Sequence, residues 1–269
     1  MQVFDAFVLG LVQGITEFLP ISSSGHLVLV RDWLGVVDSN ALAFDAVLHF
    51  ATTLAVIIYF RKDIAVLTSA LFRKLGRLPV NEKDMVMVYA LLIGTVPAVI
   101  LGLFLEEIVA TTFQSPIYVA LFLFSASIFF LYAEWQQYQR PQRETLTIRK
   151  GLFVGLFQAL ALLPGFSRSG ATIAGGMLLG LTRYEASRFS FLLAIPITLG
   201  VGSKMTIELL QQGQTVVWMP IIVGAVVSMA TAFIVIHVFL DFIKRHTLWP
   251  FIWYGIIFSG LVIYVSFLT

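Results

Sequence analysis

The chain alternates between long apolar runs and short polar segments, and this pattern predicts its helices. A membrane-spanning helix needs about 20 mostly apolar residues. Six runs meet that requirement, at 42–60, 85–105, 117–135, 187–210, 218–240 and 251–268. The pattern therefore predicts an all-α polytopic membrane protein.

Two further apolar stretches, 3–36 and 151–181, do not fit single spans. Proline, serine and glycine interrupt each stretch near its middle, and each half is long enough only for half a helix. Irregular backbone is tolerated at membrane depth where it is buried in protein or lines a wet cavity. We therefore predict that both stretches are re-entrant helical hairpins.

The two hairpins are weak copies of each other. Residues 10–26 and 155–171 each run into a proline and then become rich in hydroxyl groups. At a constant offset of 145 residues the identities are Gly10/Gly155, Leu11/Leu156, Gln13/Gln158, Ser22/Ser167, Ser24/Ser169 and Gly25/Gly170, followed by Phe44/Phe189, Leu48/Leu193, Thr53/Thr198 and Leu54/Leu199. Paired broken helices in two halves of a membrane protein indicate a binding site near the midplane.

The repeat divides the chain into two halves of one hairpin and three spans each. The first repeat covers 1–135, the second covers 151–269, and 136–150 forms a linker. Because three is an odd number, the second half is expected to lie upside down relative to the first. The two hairpin tips should then meet near the midplane.

Composition excludes a soluble protein. The chain is 59% hydrophobic and only 12% charged, with a mean hydropathy of +0.93, whereas soluble domains carry roughly 25% charged residues. The absence of cysteine excludes disulfides and thiolate metal sites. A net charge of +2 is too small to indicate a nucleic-acid partner.

The distribution of lysine and arginine predicts the orientation. Basic residues cluster in the loops 61–84 and 136–150, whereas the connections 106–116 and 211–217 contain none. Cytoplasmic loops carry the excess of lysine and arginine. We therefore expect both basic loops in the cytoplasm and both termini outside, with the first hairpin entering from outside and the second from the cytoplasm.

The first hairpin carries a group of polar residues around its break. Gln13 and Glu17 are one helical turn apart and share a face, and a carboxylate in an apolar stretch is usually functional. After the break, Ser22–Ser24 and Gly25 begin the next half-helix, whose N-terminus suits a phosphate. Together with His26, these groups could bind a metal, activate a nucleophile or move protons. The plainer alternative is that the serines only cap the helix.

The second hairpin carries an arginine at its break. The motif consists of Pro164, Gly165, Phe166, Ser167, Arg168, Ser169, Gly170, Ala171 and Thr172. The planar guanidinium of Arg168 can bind two phosphate oxygens at once. Snorkelling to the membrane surface is the alternative, but Arg168 lies near the middle of its apolar hairpin. The motif therefore favours an anion site.

Asp45 and His49 are weaker candidates. They lie one turn apart on the first span. They could support the motif residues from behind, they could line the mouth of the cavity, or they could serve packing alone.

At this point both motifs resemble those of the undecaprenyl-diphosphate phosphatase family, also called the bacitracin-resistance family. Its motifs are (Glu/Gln)-x-x-x-Glu before Pro-x-Ser-Ser-(Ser/Thr)-Gly-His, and Pro-Gly-x-Ser-Arg-Ser-Gly-x-Thr. The resemblance implies a multi-pass enzyme of the bacterial inner membrane with its active site toward the periplasm. It also implies removal of the terminal phosphate of undecaprenyl diphosphate, which recycles the carrier lipid for peptidoglycan synthesis, and dependence on a divalent cation, Mg²⁺ or Ca²⁺.

The resemblance assigns roles to individual residues. Glu17 would bind the metal or activate the nucleophile, Ser23 would be the nucleophile or an orienting hydroxyl, and His26 would be its proton partner. Arg168 would bind phosphate, and attack by a metal-bound water is equally compatible. The expected substrate-binding residues are Gln13, Ser22, Ser24, Gly25, Ser167, Ser169, Gly170 and Thr172. Because position 13 carries an amide here, a mechanism that needs two carboxylates in this motif is in doubt.

A flippase or transporter is the main rival function, since inverted repeats with broken helices are typical of transporters. Transport needs charge compensation but no proton chemistry, so Glu17 and His26 together favour a hydrolase. A structural scaffold would leave buried Glu17 and Arg168 without a reason. The expected partners are the lipid substrate and membrane lipids; the sequence leaves the oligomeric state open, and a homodimer is compatible with it.

Overall fold

The computed structural model describes residues 1–36, 41–113, 115–139, 144–211 and 217–267, and in these ranges the chain is helical without any strand. A short 3₁₀ turn at Ala159–Leu162 extends one of the helices. The α-helices are α1 (Val3–Thr16), α2 (Ser23–Trp33), α3 (Ala41–Tyr59), α4 (Arg61–Leu75), α5 (Glu82–Thr112), α6 (Pro116–Gln139), α7 (Ile148–Gln158), α8 (Arg168–Leu178), α9 (Arg183–Gln211), α10 (Trp218–Arg245) and α11 (Trp249–Ser266). The predicted all-α class is confirmed.

Five of these helices, α5, α6, α9, α10 and α11, are long and apolar enough to cross a membrane. A sixth span is obtained when α3 is counted together with α4, which turns away from it by 80°. Each predicted span overlaps one of these helices; residue 268, at the end of the last span, lies outside the described residues. The helices also extend past the apolar runs, because backbone hydrogen bonding does not stop where hydrophobicity does.

The sequence pattern suggested that the segment 61–84 is a loop, but part of it is helical. Helix α4 occupies its first part and places Ala70 against Met85 and Val88 of α5. Asp63 of α4 forms an ion pair with Arg188 of α9. The helix was missed because its many charged residues give no span-like signal, although one face is apolar.

Helical structure also enters the predicted linker 136–150 from both sides. Helix α6 continues to Gln139, and α7 begins at Ile148. Residues 140–143 of the linker lie outside the described residues.

Both predicted hairpins are broken helices that pack backbone against backbone on a long helix. Helix α1 packs on α10 and α7 packs on α5. A Cβ atom added to Gly10 would lie 2.5 Å from the carbonyl oxygen of Gly224, and one added to Gly155 would lie 2.1 Å from that of Gly94. No larger residue fits these contacts, so the matched glycines seat both hairpins in the bundle.

The hairpin tips are joined at the centre of the molecule. The Ser169 hydroxyl donates to the backbone oxygen of Leu19 at 3.1 Å, which ties one tip to the other. Phe18 beside the break packs edge-on against Phe191 of α9, with ring centroids 5.1 Å apart. Both rings belong to the largest buried cluster, so the irregular backbone lies inside protein.

A buried ion pair stabilises another part of the bundle. Glu134 of α6 is 2% exposed and accepts from Arg183 Nε at 2.9 Å and Nη2 at 2.5 Å. The backbone N–H of Leu248, at the start of α11, donates to the same carboxylate at 2.6 Å. This acidic residue therefore links α6, α9 and α11 and takes no part in the hairpin site.

Candidate active site

The two hairpin tips bring Glu17 and Arg168 together. Arg168 Nη2 donates to Glu17 Oε1 at 2.6 Å, although the two residues are 151 positions apart. Their side chains are 14% and 4% exposed. A buried charge is stable only when it is paired and hydrogen-bonded, and each of these residues supplies the counter-charge for the other.

The second oxygen of Glu17 accepts three further contacts. Ser23 Oγ donates to Oε2 at 2.7 Å and Gln13 Nε2 donates at 2.9 Å. His49 Nδ1 lies 3.0 Å from the same oxygen. A hydroxyl that donates to a carboxylate is the arrangement of a nucleophile beside a general base.

A cavity of about 390 Å³ opens beside this cluster. From the motifs it is lined by Glu17, Ser22, Ser23, Ser24, Ser167 and Arg168, and from the spans by Asp45, Ala46, His49, Ile197, Thr198, Val201 and Gly202, with Ala161 from the second hairpin. The lining is polar around the charge pair and apolar along α9. A phosphorylated group attached to an apolar chain matches this division.

Asp45 and His49 face the cavity, and His49 also contacts Glu17 directly. Asp45 forms an ion pair with Arg31 at the end of α2. The cavity-lining alternative is thus correct for both. The sequence carried only the one-turn spacing of the two residues as a signal, and nothing in it indicated that His49 reaches the first motif.

His26 is not hydrogen-bonded to Ser23 in this structure, so the arrangement gives no support to the predicted proton partnership. Its Nδ1 lies 2.7 Å from the backbone oxygen of Ser22, which requires Nδ1 to donate. Nε2 then accepts from the Tyr254 hydroxyl at 2.5 Å. The ring also stacks on Phe258 at 4.7 Å. Helix α2 directs His26 toward α11, away from the cavity.

The predicted substrate-binding residues divide into two groups. Ser22, Ser24 and Ser167 line the cavity. Gln13 lies behind Glu17 and is fully buried.

The remaining predicted contacts support the tips from behind. Ser169 bonds to Leu19, and the Thr172 hydroxyl lies 2.6 Å from that of Ser190. A Cβ atom on Gly25 would approach Val119 to 3.0 Å, and one on Gly170 would approach Phe130 to 2.0 Å. These four residues do not line the cavity, because they lie on the side of each half-helix that packs into the core.

Two polar atoms of the site are buried without a hydrogen-bond partner within the described part of the chain: Gln13 Oε1 and Arg168 Nη1. The first belongs to the amide whose Nε2 donates to Glu17, and the second is a cationic donor. Amide and carboxylate oxygens are ligands that Mg²⁺ and Ca²⁺ accept. No group of three or more histidine, aspartate or glutamate side chains with metal-binding geometry occurs in the described part of the chain. The donor set therefore fits a cation shared with a bound phosphate better than a cage made by protein alone.

The fold and the site together define an α-helical integral membrane protein with a charged cavity between two broken helices. The chain belongs to the family described as bacitracin resistance protein BacA, whose model matches residues 6–261. The resemblance seen in the two motifs is thereby confirmed.

Curated relatives are similar over the full length. The chain is 37% identical to an undecaprenyl-diphosphatase of Alteromonas mediterranea, with 99% of this chain and 100% of the relative aligned. It is 40% identical to an undecaprenyl-diphosphatase of Nitrosococcus oceani, covering 98% of this chain and 99% of the relative. A protein of the same name from Kineococcus radiotolerans is 41% identical over 100% of this chain and 95% of its own length.

Proposed function

We propose that this protein hydrolyses undecaprenyl diphosphate to undecaprenyl phosphate and inorganic phosphate. The observation that carries the proposal is the position of Glu17, which accepts hydrogen bonds from Ser23 and Arg168 on its two oxygens. A hydroxyl, a carboxylate base and a phosphate-binding cation thus meet at one wall of the cavity. The substrate comes from the names of the full-length relatives.

The charge of the diphosphate group would be compensated from both hairpins. Arg168 Nη1, which has no partner in the described residues, supplies a donor. The N-termini of α2 and α8, which begin at Ser23 and Arg168, add backbone N–H groups and partial positive charge. The apolar wall along α9 would take the first part of the lipid chain.

The reaction breaks the bond between the bridging oxygen and the terminal phosphorus. In one route, Ser23 Oγ attacks that phosphorus while its proton passes to Glu17, undecaprenyl phosphate leaves, and water then releases phosphate from the serine. In the other route, water attacks directly, gives its proton to Glu17 and is oriented by Ser23. Phosphoryl transfer depends mainly on positioning and charge stabilisation, which this geometry provides for both routes.

A divalent cation, Mg²⁺ or Ca²⁺, would be held by the Glu17 carboxylate and oxygens of the substrate. It would supply further neutralisation of the phosphate charge. The position of Glu17 at the cavity wall supports this assignment.

The cavity is proposed to face the periplasm, with the two halves forming an inverted repeat in the inner membrane. On α3 the lining residues Asp45 and His49 are in the first half, whereas Arg61 and Lys62 follow its end. On α9 the order is reversed: Arg183 and Arg188 are at the start and the lining residues 197–202 come later. The arginines thus lie at the end of each helix that is away from the cavity, whereas Lys204 follows the lining residues of α9. The arginine-bearing ends are expected to be cytoplasmic.

Lipid translocation alone would need the charge pair but not the Ser23–Glu17 hydrogen bond, so a flippase explains less of the site. The test is release of inorganic phosphate from undecaprenyl diphosphate by purified protein in detergent. We expect release with Mg²⁺ or Ca²⁺ and loss of release with a chelator. Wild-type protein that releases no phosphate with either cation would overturn the proposed function.

The two routes are separated by one variant. Ser23→Ala removes the nucleophile of the serine route. If that route operates, the variant should release no phosphate, and rapid quenching should trap phosphate covalently bound to the wild-type protein but not to the variant. Substantial turnover by Ser23→Ala would support attack by water. Ser125→Ala is a matched control, because the Ser125 hydroxyl bonds only to Leu121 of its own helix among the described residues.

A further inference from the structure

His49 contacts the Glu17 carboxylate from a helix that neither hairpin motif includes. Its Nδ1 lies 3.0 Å from Glu17 Oε2 and 2.9 Å from Gln13 Nε2. The side chain is 31% exposed and lines the cavity. His49 is therefore the imidazole that faces the cavity, whereas His26 is turned toward α11.

The surroundings of Nδ1 determine which atom carries the proton. A bare Nδ1 would place a nitrogen lone pair 3.0 Å from an oxygen of an ionised carboxylate. A protonated Nδ1 converts the same contact into a charge-assisted hydrogen bond. A protonated Nδ1 also faces the amide nitrogen of Gln13. That repulsion involves a neutral group and costs less than a lone pair facing the ionised carboxylate. Nδ1–H therefore donates to Glu17, whether or not Nε2 is also protonated.

This bond fixes the orientation of the carboxylate. Arg168 holds Oε1 at 2.6 Å, and His49 and Gln13 hold Oε2. With both oxygens held, the carboxylate cannot rotate away from the Ser23 hydroxyl. Oε2 is thereby presented to the proton of the nucleophile or of the attacking water.

The backbone and neighbours of His49 hold the imidazole in place. The hydroxyls of Thr52 and Thr53 each lie 2.8 Å from its carbonyl oxygen. Asp45, one turn earlier, is paired with Arg31. The competing carboxylate on the same helix face thus has its own partner, and His49 is directed to Glu17.

We propose that His49 is a positioning residue for the hydrolysis, acting through an Nδ1–H hydrogen bond that holds Glu17 Oε2 toward Ser23. The proposal rests on the phosphatase function proposed above. It concerns the orientation of the base and assigns no proton transfer to His49 itself.

Two variants of similar size test the donor. Asparagine carries an amide nitrogen at the same distance along the side chain as Nδ1, whereas leucine carries a methyl group there. We expect His49→Leu to lose on the order of 10- to 100-fold in kcat, the cost of a misplaced catalytic group, with KM little changed. We expect His49→Asn to retain most of the activity. His237→Leu is the control, since His237 lies near Tyr59, away from the cavity.

Two results would overturn the proposal. Wild-type turnover by His49→Leu would mean that Glu17 needs no donor from α3. Equal losses in His49→Asn and His49→Leu would mean that the imidazole acts other than through a donor at Nδ1.

A stability measurement tests the contact independently of any activity. His49→Leu should lower the thermal unfolding midpoint by a few degrees in the wild-type background, and by less in a Glu17→Gln background, where the charged acceptor is gone. Equal shifts in both backgrounds would contradict the hydrogen bond. If the wild-type protein released no phosphate, the proposed function would fail. The comparison of unfolding midpoints in the two backgrounds would still decide whether His49 holds Glu17.

Discussion

Ser22 and Ser167 adopt the same unusual backbone conformation, each directly before a half-helix, α2 and α8 respectively. Their φ angles are +68° and +64°, and each hydroxyl accepts a hydrogen bond from the backbone N–H three residues later, Gly25 and Gly170 respectively. A positive φ is costly for any residue with a Cβ. At both tips a strained serine conformation is therefore retained, and it caps a helix that begins beside the cavity.

The strain and the cap can be separated at Ser167. Ser167→Ala should destabilise the protein by about 1 kcal/mol, because the cap is lost and the strain remains. Ser167→Gly loses the same cap but relieves the strain, and should be more stable than the alanine variant by about 1 kcal/mol. Thermal unfolding in detergent measures both. If Ser167→Ala were as stable as Ser167→Gly, or more stable, the result would contradict a positive φ at this position.

Arg168→Lys should be severely impaired although the charge is retained. A lysine can replace the contact with Glu17, but its single nitrogen cannot also place a donor where Arg168 has Nη1. The expected loss in kcat is roughly 100- to 1000-fold, as for removal of one donor to a developing charge. Phosphate release measures it. Near-normal turnover would place Arg168 outside phosphate binding.

Glu17→Gln should abolish turnover, because an amide cannot take the proton from Ser23 or from water. It also leaves Arg168 buried without its counter-charge, which typically costs about 3–5 kcal/mol. The double variant Glu17→Gln with Arg168→Gln removes both charges and should regain part of the stability while staying inactive. Activity near wild type in Glu17→Gln would refute the assignment of the base.

Tyr254→Phe should reduce activity several-fold without removing the ring that stacks on His26. The change deletes the hydroxyl that donates to His26 Nε2 at 2.5 Å and leaves a largely buried acceptor unpaired, at a cost of about 1–3 kcal/mol. Because His26 supports the Ser22 carbonyl, the serine turn should loosen. Tyr264→Phe on the same helix, 63% exposed, is the control; equal behaviour of the two variants would show that the His26 contact is dispensable.

The proposed orientation can be tested by labelling single cysteines in intact cells, since the natural chain contains none. An impermeant thiol reagent should label Trp33→Cys, which is 86% exposed at the end of α2. It should label Leu78→Cys, which is 55% exposed after α4, only once the cells are opened. External labelling at position 78 would refute the orientation.

The sequence predicted the spans and hairpins because burial in lipid leaves a strong one-dimensional pattern. It also predicted that Glu17 and Arg168 belong to one site, since the two hairpin tips were expected to meet and both motifs resemble those of one family. It could not predict the direction in which a half-helix turns its side chains. His26 was therefore assigned to the cavity, because it follows the motif serines almost directly, and His49 was undervalued, because it lies 25 residues beyond Ser24.

Amphipathic helix α4 was missed for a related reason. Its apolar residues cover α5 only after the 80° turn at the end of α3, and that turn is a property of packing. Partners far apart in sequence, such as Tyr254 for His26 and Leu248 for Glu134, likewise depend on three-dimensional contacts that no local pattern records.

The separation of Glu17 and Arg168 by 151 residues has a consequence for biosynthesis. Since the chain is made from its N-terminus, Glu17 reaches the membrane when most of the protein, including Arg168, has not yet been translated. Until the second hairpin arrives, the carboxylate lacks the guanidinium of Arg168, and its partners are limited to Gln13, Ser23 and His49 of the first half. A ribosome-bound first half therefore holds an incomplete site, and the last step that makes the protein competent is the insertion of its second half.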